Sequence, residues 1–240
     1  MTTPTPDKRY MSRAEAQAAD IDVGLRQYML QVYNYMASGI ALTGIVAYLT
    51  AATPAIFNAI FGTPLMWVVM LAPIGFALFF GMRIQHMKAS TAQALFWVFA
   101  AVMGLSLATV FVVFTGESVA RVFFITAATF GAMSLYGYTT KRDLSAFGSF
   151  LTMGLIGVVI ASLVNMFIGS TALQFAISII GVLVFVGLTA YDTQQIKEMY
   201  AEGDDGEIYK KKAIMGALRL YLDFINLFML LMQLFGQRRE

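Results

Sequence analysis

Apolar positions in this chain come in long unbroken stretches, not in the alternating or one-sided patterns of water-soluble strands and helices. No Asp, Glu, Lys or Arg occurs from Gln27 to Met82, from Ala89 to Gly116, from Val122 to Thr140, or from Leu144 to Tyr191. A helix needs roughly 20 apolar residues to cross the hydrocarbon core of a bilayer, so the first and last stretches each hold two crossings and the middle two hold one each. Breakers divide the double stretches: Thr53-Pro54 through Phe61-Gly62-Thr63-Pro64 in the first, and Asn165 through Gly169-Ser170-Thr171 in the last. Six helices are predicted near 28–53, 65–83, 91–114, 119–140, 146–168 and 172–195. A seventh segment, 213–235, contains Arg219 and Asp223 and is expected inside the bundle, where other helices shield those charges from lipid. Barrel strands would alternate apolar and polar residues over about ten positions, which these stretches do not. The expected class is an all-α membrane protein, a seven-transmembrane-helix bundle.

Three units follow: a polar tail over 1–26, a transmembrane domain over 27–236, and a short C-terminal tail over 237–240. The N-terminal tail is polar and mixed in charge, with no apolar core of a cleaved signal before the first crossing. With the N-terminus in the cytoplasm, nearly all Lys and Arg fall on the cytoplasmic side, and only Arg121, Arg238 and Arg239 lie outside. The Arg238-Arg239 pair resists this bias, and a re-entrant seventh helix would bring it back inside.

Composition narrows the function classes. Of 240 residues, 59% are hydrophobic and 12% charged, too few charges for a water-soluble shell. A net charge of +2, spread around membrane edges, argues against nucleic-acid binding. With no Cys and one His, thiol chemistry and multi-histidine metal sites are excluded.

The informative residues are therefore the ionisable ones at membrane depth: Arg83, Asp192, Arg219 and Asp223. Helical spacing puts Thr189, Asp192 and Gln195 on one face of the sixth crossing, and Arg219, Asp223 and Asn226 on one face of the seventh. If Asp192 and Asp223 approach in a partly dry site, both cannot ionise cheaply and they share a proton. Such a pair senses pH and offers hard oxygen ligands that suit Ca²⁺ weakly. Arg83 could reach the pair and hold it ionised. Alternatively, Arg219 and Asp223, spaced i, i+4, neutralise one another within their own helix, and Asp192 sits hydrated at headgroup level.

Three segments carry a resemblance: Gly104-Leu105-Ser106-Leu107 with Phe123 to Gly131 and Ser134 to Ser145, then Ala190-Tyr191-Asp192-Thr193-Gln194-Gln195-Ile196, then Ala217 to Phe228 with Leu220-Tyr221-Leu222-Asp223-Phe224 at its centre. On these the chain resembles the Bax inhibitor-1 family, also called the transmembrane Bax inhibitor motif family, and looks like a bacterial member, over about 25–236. The resemblance implies a seven-helix bundle with the C-terminal helix central, in the bacterial cytoplasmic (inner) membrane. It also implies a pH-sensitive calcium leak, with Ca²⁺ as permeant or bound ion and no other cofactor. The gating pair falls on Asp192 and Asp223, the latch on Arg83, and supporting roles on Arg219, Asn226 and Asp143. No acidic residue occurs in crossings one to five, which puts an outer Ca²⁺ site in doubt. Some bacterial relatives instead restrain a membrane-embedded ATP-dependent protease, an alternative kept open here.

Enzymatic readings are weaker. An intramembrane aspartyl protease would carry Gly-x-Gly before the second Asp, where this chain has Leu220, Tyr221 and Leu222, and a later Pro-Ala-Leu, although its last proline is Pro73. The single His86, between Arg83 and Lys88, reads as an interface residue and not a general base. No catalytic activity is expected.

Overall fold

The computed structural model describes residues 13–239. Eight α-helices follow in order: α1 (Arg13–Ala52), α2 (Pro54–Phe61), α3 (Leu65–Arg83), α4 (Ala89–Val113), α5 (Gly116–Thr139), α6 (Ser145–Ile168), α7 (Thr171–Glu198) and α8 (Gly206–Phe235). A single 3₁₀ turn, Ile84–His86, joins α3 to α4. Seven helices are long and apolar enough to cross a membrane, and no strand forms among the described residues. The chain is thus an integral membrane protein of the all-α class.

Two ends differ from the sequence expectation. The polar tail over 1–26 is helical from Arg13, because α1 extends before its membrane span at Val23–Ala52. The seventh crossing begins at Gly206, seven residues before the predicted 213. Asp205 caps it, its Oδ1 accepting from Glu207 N at 3.0 Å and Ile208 N at 2.7 Å. That cap satisfies backbone donors a helix start would otherwise leave open. The breaker segment between the first two crossings folds into α2, with Pro54 in its first turn, where a missing N–H costs nothing.

α8 runs through the whole bundle. At one end Glu207 Oε1 accepts from Ala89 N, which ties the start of α8 to the start of α4. At the other, the chain after α8 pairs with the α4–α5 loop: Thr115 N donates to Gln237 O and Arg239 N donates to Val113 O, each at 2.9 Å. At 30 residues and about 1.5 Å per residue, α8 spans roughly 45 Å. α8 therefore runs alongside α4 from one end to the other.

Burial separates the helices. The membrane-length window of α8 is 67% buried, whereas those of α3 and α6 are 17% and 11% buried. α8 packs against α1, α4, α5 and α7, while α3 rests on α4 and α6 on α7. The outward faces of α3 and α6 carry Trp67, Leu71, Phe150 and Phe167, all exposed and suited to acyl chains.

Close helix contacts depend on glycine at two places near the centre of α7. A Cβ on Gly137 of α5 would overlap the carbonyl oxygen of Ala190, and one on Gly148 of α6 would overlap the ring of Tyr191. Small residues let membrane helices approach until backbones touch. Here they draw α5 and α6 onto α7 just before Asp192.

Candidate functional site

Asp192 and Asp223 meet. Asp223 is 5% exposed, and its carboxyl lies close enough to that of Asp192 for the two to interact directly. Asp192 is more open, its side chain 13% exposed, and Arg219 Nη1 lies 3.6 Å from its Oδ1. So the guanidinium one turn before Asp223 reaches across to α7 instead of closing back on its own helix. Two carboxyls and one guanidinium are neutral together only when the carboxyls hold one proton, which is the arrangement a dry site favours.

One atom of this cluster is left over. Asp223 Oδ2 and Tyr28 Oη are the buried side-chain polar atoms among the described residues that have no hydrogen-bond partner in the protein. A buried oxygen in that condition costs about 1–3 kcal/mol unless it finds a proton, a water or a cation. Tyr28 stands on the Gly206 side of the pair, its ring 5.7 Å from that of Tyr200 and 5.5 Å from that of Tyr209.

Hydroxyl chains hold the helices around the pair. Thr193 Oγ1 donates to Thr189 O at 2.7 Å, so it accepts from Ser134 at 2.9 Å, and Ser134 in turn accepts from Tyr33 Oη at 2.6 Å. The donors thus run in one direction, from α1 through α5 to α7, and end on a backbone carbonyl. On the far side Thr43 Oγ1 donates to Ala100 O at 2.8 Å and accepts from Tyr221 Oη at 2.6 Å, which joins α8, α1 and α4. Gln194 secures the α5–α6 loop, accepting from Leu144 N and donating to Arg142 O, both at 2.8 Å.

Other expected members lie elsewhere. Arg83 ends α3 exposed on the surface, and the guanidinium that reaches Asp192 is that of Arg219. The structure therefore does not bring Arg83 to the pair; α3 packs on α4, at the edge of the bundle. Asn226 is exposed, donates to Leu222 O within α8, and lines a cavity with Met70, Pro73 and Ser106 on the α3–α4 side. Asp143 lies in the α5–α6 loop, exposed, where its Oδ1 accepts from Ser145 N at 2.8 Å. The hydrogen bonds from Ser145 hold its carboxyl below the usual carboxylate range. Thr189 and Gln195 spend their donors within α7, on Phe185 O and Glu198, so the polar stripe of α7 reduces to Asp192. No group of three or more His, Cys, Asp or Glu forms among the described residues.

Sequence reasoning missed Tyr28, Tyr33, Ser134 and Gln194. Tyr28, Tyr33 and Ser134 lie in apolar stretches where a single hydroxyl reads as tolerated bulk. The partners of Tyr33 and Gln194 sit 101 and 50 positions away, which spacing cannot pair.

Buried acidic residues on two adjacent helices, inside seven membrane-length helices, define a class of integral membrane proteins with an intramembrane carboxyl pair. The family described as inhibitor of apoptosis-promoting Bax1 matches residues 25–240. The chain belongs to this Bax inhibitor-1 family. Relatives include RP147 of Rickettsia prowazekii, 52% identical over 219 residues that span 91% of this chain and 93% of that one. Inner membrane protein YbhL of Escherichia coli K12 is 48% identical over 219 residues, 90% and 94% of the two chains. A Caulobacter vibrioides protein is 46% identical and covers 98% of each chain.

Proposed function

We propose that this protein is a pH-sensitive calcium leak pathway of the bacterial inner membrane, gated by Asp192 and Asp223, with its N-terminus in the cytoplasm. The meeting of the two carboxyls inside the bundle carries the reading, because a shared proton there makes helix packing depend on pH. At neutral or higher pH an ionised Asp192 is held by Arg219, and Asp223 carries or shares the proton. Protonating Asp192 as well releases Arg219, loosens α7 against α8, and opens a cation path along α8. The latch role implied for Arg83 passes to Arg219 in this conformation. The unpartnered Asp223 Oδ2 is the oxygen best suited to a passing cation, and Ca²⁺ takes such hard ligands. The pair shares a proton and is assigned no hydrolytic step.

The orientation rests on the excess of Lys and Arg at the end that bears the N-terminus, and the membrane on the name of the relative YbhL. The test is Ca²⁺ entry into liposomes that hold the purified protein, followed across pH for the native chain and for Asp192→Asn, Asp223→Asn, Arg219→Gln and Arg83→Ala. Entry should rise as pH falls in the native chain and lose its pH dependence in both Asn variants. Native-like profiles in those two would sink the gating role. No entry at any pH in the native chain would favour the other reading, a regulator that restrains a membrane-embedded ATP-dependent protease. The broad exposed faces of α3 and α6 leave room for such a partner.

A further inference from the structure

α1 packs on α4 and α8, α5 packs on α7 and α8, and α1 and α5 face one another across a shallow groove whose floor is bridged by the Tyr33–Ser134 hydrogen bond. Two cavities lie in this groove. One, of about 260 Å³, lies between Ile40 to Ala47 of α1 and Gly116 to Phe124 of α5, with Phe224 and Phe228 of α8 as its floor. The other, of about 480 Å³, lies between Arg26 to Ala37 of α1 and Phe130 to Tyr138 of α5. Because α1 and α5 run antiparallel here, the two cavities follow one another along a single cleft.

From Arg26 to Ala47 the cleft extends about 32 Å at 1.5 Å per residue, the thickness of one hydrocarbon core. The larger cavity alone covers about 16 Å, the depth of one leaflet. Its walls grade from apolar to charged. Met36, Phe130 and Gly131 lie at mid-membrane, Tyr33 and Ser134 nearer the edge, and Arg26 with Tyr138 at the mouth. Arg26 is the charged residue of the lining. Behind Tyr138 stands a second cation, Lys197, whose Nζ lies 5.5 Å from the ring centroid and donates to Tyr138 O at 2.9 Å.

Glycines keep the walls of the cleft low. At Gly131, Gly44 and Gly116, all lining the cleft, an added Cβ would meet no atom within 4 Å. Gly137, one and a half turns after Gly131 on the same helix, is instead in backbone contact with α7. One helix thus uses glycine for contact on one face and for clearance on another.

We infer that the α1–α5 cleft is a binding site for an anionic glycerophospholipid, its phosphate at Arg26 and one acyl chain lying between α1 and α5 toward Phe130. The medium at this depth is lipid, the length matches one leaflet, and the charge at the mouth selects the headgroup. The floor of the cleft borders Phe224, next to Asp223, so an occupant bears on the helix that carries the carboxyl pair. The inference does not depend on ion conduction.

The test is native mass spectrometry of the protein released from vesicles of phosphatidylethanolamine and phosphatidylglycerol. The native chain should retain phosphatidylglycerol in preference. Arg26→Ala should lower that retention by about tenfold, the scale of one lost charge-assisted hydrogen bond. Gly131→Trp should fill the cleft and remove both lipids while the melting temperature stays native; Leu135→Trp, on the same wall, serves if Gly131→Trp does not fold. Equal retention by Arg26→Ala, or undiminished lipid in the filled variant, overturns the site. Because the chain has no cysteine, a single Leu30→Cys gives a clean cross-linking probe. Efficient Cys–Cys dimers through it would show that a second copy fills the cleft, and would likewise overturn the inference.

Discussion

Arg219 and Asp192 sit on different helices, yet the guanidinium lies 3.6 Å from the carboxylate, while Asp223, one turn along from Arg219 on the same helix, is buried with its Oδ2 unpartnered. An i, i+4 pair on one helix would have been indifferent to how α7 and α8 pack. A pair between the two helices is not, and that makes the ion pair a sensor of their separation. Arg219 is 45% exposed, so solvent weakens the attraction.

Arg219→Gln removes the charge that favours ionised Asp192, so the second protonation becomes easier and the rise in Ca²⁺ entry moves to higher pH. After allowance for solvent, the displacement is about one pH unit. Arg219→Lys should fall between the two, since it keeps the charge but loses the planar fork. The measurement is the midpoint of the liposome flux profile. An unmoved midpoint in Arg219→Gln would mean that another group controls the pair.

Gly137→Ala should cost more than its size suggests. Its Cβ would overlap the backbone of Ala190, which cannot rotate away, so α5 must back off from α7. Overpacking of that kind costs about 1–3 kcal/mol, whereas Gly131→Ala on the same helix enters open space and gains helix propensity. Thermal unfolding in detergent should rank Gly131→Ala at or above native, and Gly137→Ala well below it.

The sequence made the bundle legible because hydropathy acts over whole helices: each charge-free stretch is longer than one bilayer crossing, and no other fold uses such stretches. The carboxyl pair was legible because an ionisable residue at that depth is conspicuous. What could not be read was which partner each charge takes. Arg83 and Arg219 are equally basic in the sequence. Only the packing of α3 at the edge and of α8 within four helices decides that Arg219 reaches Asp192. The start of α8 was hidden because Lys210 to Lys212 are charged, yet they are helical behind the Asp205 cap.

The Tyr33, Ser134 and Thr193 chain joins three helices through hydroxyls, and its members should not add independently. Removing Tyr33 Oη leaves Ser134 without its donor. Tyr33→Phe and Ser134→Ala should each cost about 0.5–1.5 kcal/mol, and the double variant less than their sum. A double-mutant cycle by denaturation checks this. Strict additivity would show that the hydroxyls act separately.

Asp143 gives a pH dependence away from the membrane. Ser145 hydrogen bonds stabilise its carboxylate in the folded state, so its folded pKa lies below the unfolded value of about 3.9. A depressed carboxylate contributes stability that is present above the unfolded pKa and lost as pH falls through the folded one. The residue is exposed, so the contribution is small. Asp143→Asn should leave the Ca²⁺ profile unchanged and alter stability only above about pH 4, as melting curves at two pH values would record.

The clasp beyond α8 separates a structural end from the gating centre. Thr115 N and Arg239 N each donate across it, and Gln237 N donates to Ser118 Oγ at 3.1 Å. Deleting residues after Gly236 removes these bonds, worth about 1–3 kcal/mol together at this exposed end, and leaves the Thr115 amide without its acceptor. Hydrogen exchange should then accelerate at Thr115 while the amides around Asp223 stay protected. The pH midpoint of Ca²⁺ entry should hold, because the carboxyl pair lies three turns inside α8 from that end. A moved midpoint would instead couple the clasp to the gate, and the end of α8 would have to be counted among the parts that move.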